Sequence, residues 1–599
     1  MSREMNQTPA CRPSRMSRVA ETASTTNSNR PPHARKSGLA FFVSGRRWWF
    51  AVCLWTASVL SSSAWAESFR VLPYVQNPAA DAMTIRWFSH AKESGTLTVF
   101  TPEGEREFTS EPKLAGALAH NPFKPEPGDA LPAVPWLHGI RVTGLEPGTE
   151  YQYAVRQGED RAEGAFHTAP DANQPIRLVA YADSETEPES TGKAVDWPAH
   201  ASSNRPDELK NYVVDQTVGY EENIRVMNSR DPDLILVVGD LVESGGEQRD
   251  WDEFWRHNAG ELGAIASRVP ILAAIGNHEN YGGPGGGYSA EGANFSTDKY
   301  LTYFEFPSNA AANEKHRGRY YRIDYGPIAL ITVDSSDGLP HQTAADTNHS
   351  LDGSNAPDFN PGSEQYRWLE AQLADAQQKS RFTFVQFHHT MYGSGPHSVP
   401  FGSPNFSGQS GIAMRIIQPL LFKYGVDAVL SGHDEMLERS HVTGTETLPD
   451  GSTRPHEIHF YDVGMGGDGL RGPSEGFDNP YRKYLAHEDV PEVWEGKRLL
   501  SGGKHYGHLE INVAPNDDGV WQTTIVPVQV FPLMDAAGNV TGWERREIDD
   551  VITLTSQTEV EVKTSAVNSA EDEAGVCCAT RRSKCCNPRR LNRRRACCS

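Results

Sequence analysis

From Ser68 to about Ala169, apolar and polar residues alternate with the two-residue period of strands. The segments are MTIRWF (83–88), GTLTVFT (95–101), GIRVTGL (139–145), TEYQYAVRQ (149–157) and AEGAFHT (162–168). Proline- and glycine-containing turns separate them at close spacing, which predicts an all-β sandwich over residues 67–170. From about Pro175 the rhythm changes. Apolar runs alternate with segments of helical character, ELKNYVVDQTVGYEENIRVM (208–227), SEQYRWLEAQLADAQQ (363–378) and GIAMRIIQPLLFKYG (411–425). That alternation predicts an α/β domain over residues 175–535, with helices packed on sheets. Residues 536–576 read as a C-terminal extension and linker, polar and aperiodic past about residue 555. No internal repeat is present.

The ends differ from the middle. Arg46 and Arg47 precede the apolar run WWFAVCLWTASVL, and small residues follow up to Ala64-Trp65-Ala66. This is the pattern of a signal region over residues 1–66 with an A-x-A cleavage site. It predicts a mature start at Glu67, export to a periplasmic or extracellular location, and no stable transmembrane segment after cleavage. Residues 577–599 form a basic tail with three Cys-Cys pairs.

Charge sharpens this division. The 599 residues carry 56 Lys plus Arg against 78 Asp plus Glu, a formal net charge of -22. Residues 67–576 alone hold 39 basic and 76 acidic residues, a net of -37. So acidic a surface repels polyanions and excludes nucleic acid as a first partner. No cysteine lies between Cys53 and Cys577, so the acidic body holds neither a disulfide framework nor a zinc thiolate site. It also lacks a Gly-x-x-x-x-Gly-Lys-Ser/Thr phosphate loop and a Gly-x-Ser-x-Gly nucleophile elbow, which removes the nucleotide-driven and serine-hydrolase readings.

What remains is metal chemistry. Five apolar runs end in residues able to bind metal: IRLVAYAD at Asp183, DLILVVGD at Asp240, PILAAIGN at Asn277 with His278, FTFVQFH at His388 with His389, and VDAVLSGH at His433. α/β sheets present ligands at the carboxyl ends of strands, so these groups are expected at one edge. Oxygen and imidazole donors without thiolate suit iron, manganese, zinc or calcium. A carboxylate bridging two such ions favours in-line attack on a phosphoester.

The ordered blocks Asp183, Gly239-Asp240, Gly276-Asn277-His278-Glu279, His388 and Gly432-His433 resemble the calcineurin-like metallophosphoesterase superfamily. Within it, the chain is most similar to the purple acid phosphatases. PYVQNP opens the first domain, HHTMY stands where that family has His-x-Pro-x-Tyr, ERS follows the last block, and HYGHLEI comes late. HGIRVTGLEPGTEYQYAV resembles the fibronectin type III family. The resemblance implies a metallophosphoesterase domain with helices flanking a β-sandwich core, preceded by a fibronectin type III-like sandwich. It also implies an acid phosphatase-like hydrolase in which a metal-bound hydroxide attacks small phosphomonoesters. A phosphodiesterase or nucleotidase, or an inactive exported protein that binds metal or ligand, is the alternative.

Carried over by the resemblance, Asp240 bridges two metal ions. Asn277, His388 and His433 complete one site with it, Asp183 belongs to the other, and His278 and His397 contact phosphate. The chain departs from the pattern at two places. Glu243 stands at the position of the purple enzymes' tyrosine, so no purple band is expected, and Glu435 stands where a second histidine ligand would be. Glu435 is expected to ligate. Glu185 and Glu243 are open between ligation and a solvated or supporting role. The carboxylate-rich site then favours iron or manganese, or calcium or magnesium, and the histidine-containing site zinc, iron or manganese.

Overall fold

The computed structural model describes residues 68–119, 133–193, 196–212, 215–474 and 477–557. The signal region and the cysteine-rich tail lie outside the described residues.

The N-terminal alternation does form strands. One four-stranded antiparallel sheet orders Phe69–Ala79, Ala82–Ser89, Trp136–Thr143 and Lys113–Leu114. A second orders Gly104–Thr109, Thr96–Thr101, Glu150–Gln157 and Asp160–His167. Alternate residues of the two sheets, among them Val75, Met83, Ile85, Trp87, Leu97, Val99, Tyr153 and Val155, meet in one core. Trp87 donates from Nε1 to Gln157 Oε1 at 3.0 Å and stacks on His138. The turn at 144–149 is held by the Tyr151 hydroxyl, which accepts from Glu146 N at 2.9 Å.

The larger part contains two seven-stranded sheets. In the first, Ile271–Ala273, Leu234–Val237 and Ile176–Tyr181 run parallel, and Gly507–Pro515, Trp521–Met534 and Val540–Glu547 continue antiparallel. In the second, Ile328–Thr332, Phe382–His389, Ala428–Gly432 and Thr453–Val463 run parallel. Tyr321–Tyr325 lies antiparallel at one edge, and Leu437–Thr447 and Arg482–Leu485 at the other. The pleat divides each run between two cores. Leu178, Ala180 and Ala182 share one core with Leu330, Phe384 and Leu430 of the other sheet, whereas Val179 and Tyr181 point outward to a helical layer. Burial on both faces is why these strands read as continuous apolar runs.

Helices cover the outer faces. Gln216–Asn228, Gln248–Asn258 and Ala290–Tyr303 pack on the first sheet, and Glu364–Lys379 and Gln418–Lys423 on the second. The helix read from 208 starts only at Gln216, because Asp215 caps it by accepting from Val218 N. The segment 411–425 divides into a 3-10 turn, Gly411–Ile417, and the short helix. Residues 536–555, read as extension, supply two further strands that pair with Trp521–Met534. Among the described residues, no helix is long and apolar enough to cross a membrane.

An aromatic cluster joins the N-terminal sandwich to the helical layer. Tyr74 packs on Trp255 with ring centroids 4.4 Å apart and donates to the Tyr303 carbonyl at 2.8 Å, while Phe88 meets Tyr303. Trp255 is 2% exposed and also contacts Phe254 and Phe304. Its removal would open a void between the two parts. Trp255→Ala is expected to cost about 3–5 kcal/mol in denaturant-induced unfolding, and an unchanged midpoint would show that this cluster does not hold the parts together.

Candidate metal centre

The five polar-ended strands belong to different sheets, three to the first and two to the second, and their carboxyl ends converge across the sandwich. Asp183 (φ 56), Asp240 (φ 51) and His433 (φ 83) all lie in the left-handed region immediately beyond a strand, as do Glu185 and Glu435 nearby. Such backbone is costly for a residue with a Cβ and collects at functional sites. The glycine that precedes a ligand makes room for a different one. A Cβ on Gly276 would lie 2.0 Å from Asp240 Oδ1, one on Gly432 2.5 Å from Asp183 Oδ2, and one on Gly239 2.5 Å from His388 Nδ1. The Gly-Asp, Gly-Asn and Gly-His pairs of the sequence are therefore close-approach devices.

Glu279 locks two of these loops together. Its buried carboxylate accepts from Asp240 N at 3.0 Å, Leu241 N at 2.9 Å and Gly276 N at 2.8 Å. Burial and the neighbouring Asp240 push its carboxyl up to about 7.

One donor set centres on His388. Its Nδ1 faces the Val238 carbonyl at 3.0 Å, which fixes the proton there and turns the Nε2 lone pair inward. Nε2 then lies 2.8 Å from Asp240 Oδ2, 2.9 Å from Asn277 Oδ1 and 3.2 Å from His433 Nδ1. Those three atoms present lone pairs as well. The Asn277 amide donates its Nδ2 to the Tyr288 hydroxyl, and His433 turns Nε2 to the Gln409 carbonyl at 3.2 Å. Four lone pairs at one focus require a cation, so the residues present fit a metal ion. Without a metal, a proton takes that place. Burial opposes it, but the Asp240 carboxylate raises His388 to about 9, and the charges of His388 and His278 hold Asp240 low despite burial.

The second set is made of oxygens. Asp183 accepts from His433 N with both carboxylate oxygens, at 2.9 and 3.1 Å. Glu185, Glu435 and Asp468 each place a carboxylate oxygen within 4.8 Å of the others. Glu435 Oε2 is buried without a hydrogen-bond partner, and a Cβ on Gly469 would lie 1.6 Å from it. Burial raises Asp183 to about 7, and burial together with Asp468 holds Glu185 and Glu435 well above the usual carboxylate range. Arg471 pairs with Glu435, which leaves excess negative charge here and fits a hard cation.

Sequence reasoning placed Asp183, Asp240, Asn277, His388, His433 and Glu435 at this centre, and the structure brings them together. It separates the two open carboxylates: Glu185 is buried inside the oxygen set, whereas the Glu243 side chain is 38% exposed at the rim, 3.8 Å from His278 Nδ1. Asp468 and Arg471 escaped the sequence reading. They lie in the glycine-rich run from Met465 to Gly472, which has no periodicity to mark them.

Above the donors opens a cleft of about 490 Å³, including its solvent-filled mouth. His278 fixes Nδ1 on the Glu243 carbonyl at 2.6 Å and leaves Nε2 toward the cleft, 3.9 Å from Glu185. His397 stacks on His433 with centroids 3.9 Å apart, and its Nε2 lies 3.0 Å from Arg471 Nη1. Asp434 carries no donor role. Its carboxylate accepts from His397 N and the Ser398 hydroxyl and so shapes the turn that presents His397.

A family model described as calcineurin-like phosphoesterase matches residues 207–434. Uncharacterized protein Rv2577 of Mycobacterium tuberculosis is 29% identical over 322 residues, covering 52% of this chain and 53% of that protein. Probable inactive purple acid phosphatase 27 of Arabidopsis thaliana is 25% identical over 399 residues, covering 60% and 53%. The chain thus spans about half the length of these curated relatives. Among solved structures, purple acid phosphatase PPD1 from yellow lupin (Lupinus luteus) seeds aligns with a TM-score of 0.52 at 20% identity, covering 81% of this chain and 74% of that one. This likeness establishes a shared fold.

Two outcomes follow for the metal-stripped protein. Carboxyls raised in the fold (Asp183, Glu279) and histidines raised in the fold (His278, His388, both about 9) stabilise it below their unfolded values, and that stability is lost as pH climbs through the folded ones. Burial holds His389, His433 and His397 below the usual imidazole range, which offsets this at acid pH, so the loss from the centre is expected between about pH 6.5 and about pH 9, with added metal raising Tm more at the alkaline end; a calorimetric profile that rises across that interval would contradict this. Glu279→Ala leaves three backbone N–H groups without their acceptor. It should cost at least about 3 kcal/mol and lower metal retention on gel filtration.

Proposed function

We propose that this chain, which carries a calcineurin-like phosphoesterase domain, is an exported binuclear phosphatase that hydrolyses phosphomonoesters in the cleft above Asp240. The observation that supports this reading is the pair of donor sets, one of imidazole, amide and carboxylate and one of carboxylates alone, with Asp240 of the first close to Glu185 of the second. Cations held there supply Lewis acidity, activating water and neutralising charge on the phosphoryl group. The nitrogen-containing set suits zinc, iron or manganese, and the oxygen set iron, manganese, magnesium or calcium.

The chain's own groups do the rest. Arg471 and His397 stand 3.0 Å apart at the rim and hold phosphate oxygens. His278, with Nδ1 committed to the Glu243 carbonyl, keeps Nε2 free to give a proton to the leaving oxygen. The cleft is open and has no apolar wall among its lining residues, which suits a small polar phosphoester. The fibronectin type III-like identity of residues 67–170 and the boundaries of the domains belong to the same proposal, as does export, which rests on the signal pattern ahead of Glu67. A second reading, an exported protein that binds metal or ligand without turnover, is favoured by one feature. Glu435 stands in place of a histidine and is paired with Arg471.

An aryl phosphate and its diester, offered to metal-loaded protein from about pH 4 to 10, separate the readings. Hydrolysis of the monoester is expected, with Asp240→Asn lowering kcat/KM by about three orders of magnitude, some 4 kcal/mol of barrier. Full metal loading without turnover would establish the binding protein, and activity indifferent to Asp240→Asn would remove the site assignment.

A further inference from the structure

Behind the centre, the segment that follows strand Ile328–Thr332 gathers a separate set of donors. Asp337 and Asp346 are 4% and 2% exposed, His341 is half-buried, and one donor atom from each lies within 4.8 Å of the others. Asp337 Oδ1 and His341 Nδ1 face each other at 3.2 Å, yet neither has a hydrogen-bond partner. The other imidazole nitrogen, Nε2, faces Asp352 Oδ1 at 3.3 Å. Between the two buried atoms, Asp337 Oδ1 and His341 Nδ1, lone pairs face each other without a hydrogen bond. That contact is unfavourable unless a cation or a shared proton lies between them. The Asp346 carboxylate is already oriented, with Oδ1 accepting from Gly338 N and Asn348 N, both at 3.2 Å, and Oδ2 from Gln342 N at 2.9 Å. A carboxylate behind the imidazole and amides behind the ligating carboxylate are the supports that protein metal sites use.

We propose that Asp337, His341 and Asp346 bind a divalent cation of the zinc or manganese class, at a site distinct from the donor sets around Asp240. One imidazole and two carboxylates, with no thiolate, suit those ions, and water completes the shell. The ion braces the loop that backs the cleft. Residues just beyond Asp346 reach the site's supports: Thr347 donates to the Ser335 carbonyl and accepts from Ser410 N, and Asn348 forms a backbone bridge with Gln409. The Gln409 carbonyl in turn faces His433 Nε2 and His397 Nδ1, both at 3.2 Å. The role is structural, and the proposal stands whether or not the cleft is catalytic.

The competing account is a shared proton with no metal, either on His341 between Asp337 and Asp352 or on the buried Asp337 carboxyl, which burial and Asp346 raise to about 7. To separate the two, full-length protein and its His341→Ala and Asp337→Asn variants are stripped, reloaded with zinc and then with manganese, passed through gel filtration and analysed for bound metal. The same three are made in an Asp240→Asn background to lower the contribution of the cleft. Wild type is expected to retain one equivalent more of at least one metal than either variant in both backgrounds, with affinity at that equivalent falling at least about tenfold and circular dichroism unchanged. Equal metal content in wild type and a variant that matches it by circular dichroism would overturn the proposal. Should His341→Ala fail to fold, the conservative Asp337→Asn decides by the same measurement.

Discussion

Everything in the larger part of this molecule is arranged around a concentration of lone pairs and negative charge that the protein alone cannot balance. His388 Nε2 meets three other acceptors within 3.2 Å, and beside it Asp183, Glu185 and Glu435 are buried, with half-buried Asp468 and one guanidinium among them. Removing charged groups from water is costly unless they are paired. Two features hold the assembly together before any cation arrives. The left-handed turns aim the side chains back over the strand ends, and Glu279 ties the Asp240 and Asn277 loops into one piece. At Asp240 and His433 the left-handed residue follows a glycine whose missing Cβ admits a neighbouring ligand, whereas Asp183, Glu185 and Glu435 take the same backbone without one.

The ligands were legible because each ends an apolar run, and an abrupt polar residue after Leu-Val-Val or Ala-Val-Leu is informative. The distribution of those runs over two sheets was not, since strands buried on both faces carry no sign of which core each face meets. Helix Gln248–Asn258 went unread although Trp251, Phe254 and Trp255 recur at helical spacing and stand out against charged neighbours; three apolar residues in eleven make a short stripe. The strands after Met534 were missed for the opposite reason. Val540–Glu547 is an edge strand with both faces largely exposed, so it shows polar residues without alternation. Asp468 and Arg471 lie on no strand at all, and their proximity to Glu435 is a property of the tertiary fold alone.

The two substitutions that set this chain apart from the purple acid phosphatase pattern have different structural consequences. Glu243 points to the rim, where its carbonyl holds His278 and its carboxylate lies 3.8 Å from the same imidazole. Glu435 goes into the interior, where it gathers Glu185, Asp468 and Arg471 about it. The oxygen set is thus a cluster of its own, with Glu435, Glu185 and Asp468 within 4.8 Å of one another and Arg471 paired to Glu435.

Arg471 gives that cluster an exchange property. A cation entering among Glu435, Glu185 and Asp468 takes over the charge that Arg471 now neutralises, and the guanidinium becomes available to the cleft beside His397. A cation held by the oxygen set would therefore favour an anion at Arg471, and an anion at Arg471 would favour the cation at Glu435. By thermodynamic reciprocity, each event favours the other by the same free energy. Metal and anion would thus be taken up as a pair, with a single arginine as the switch between them.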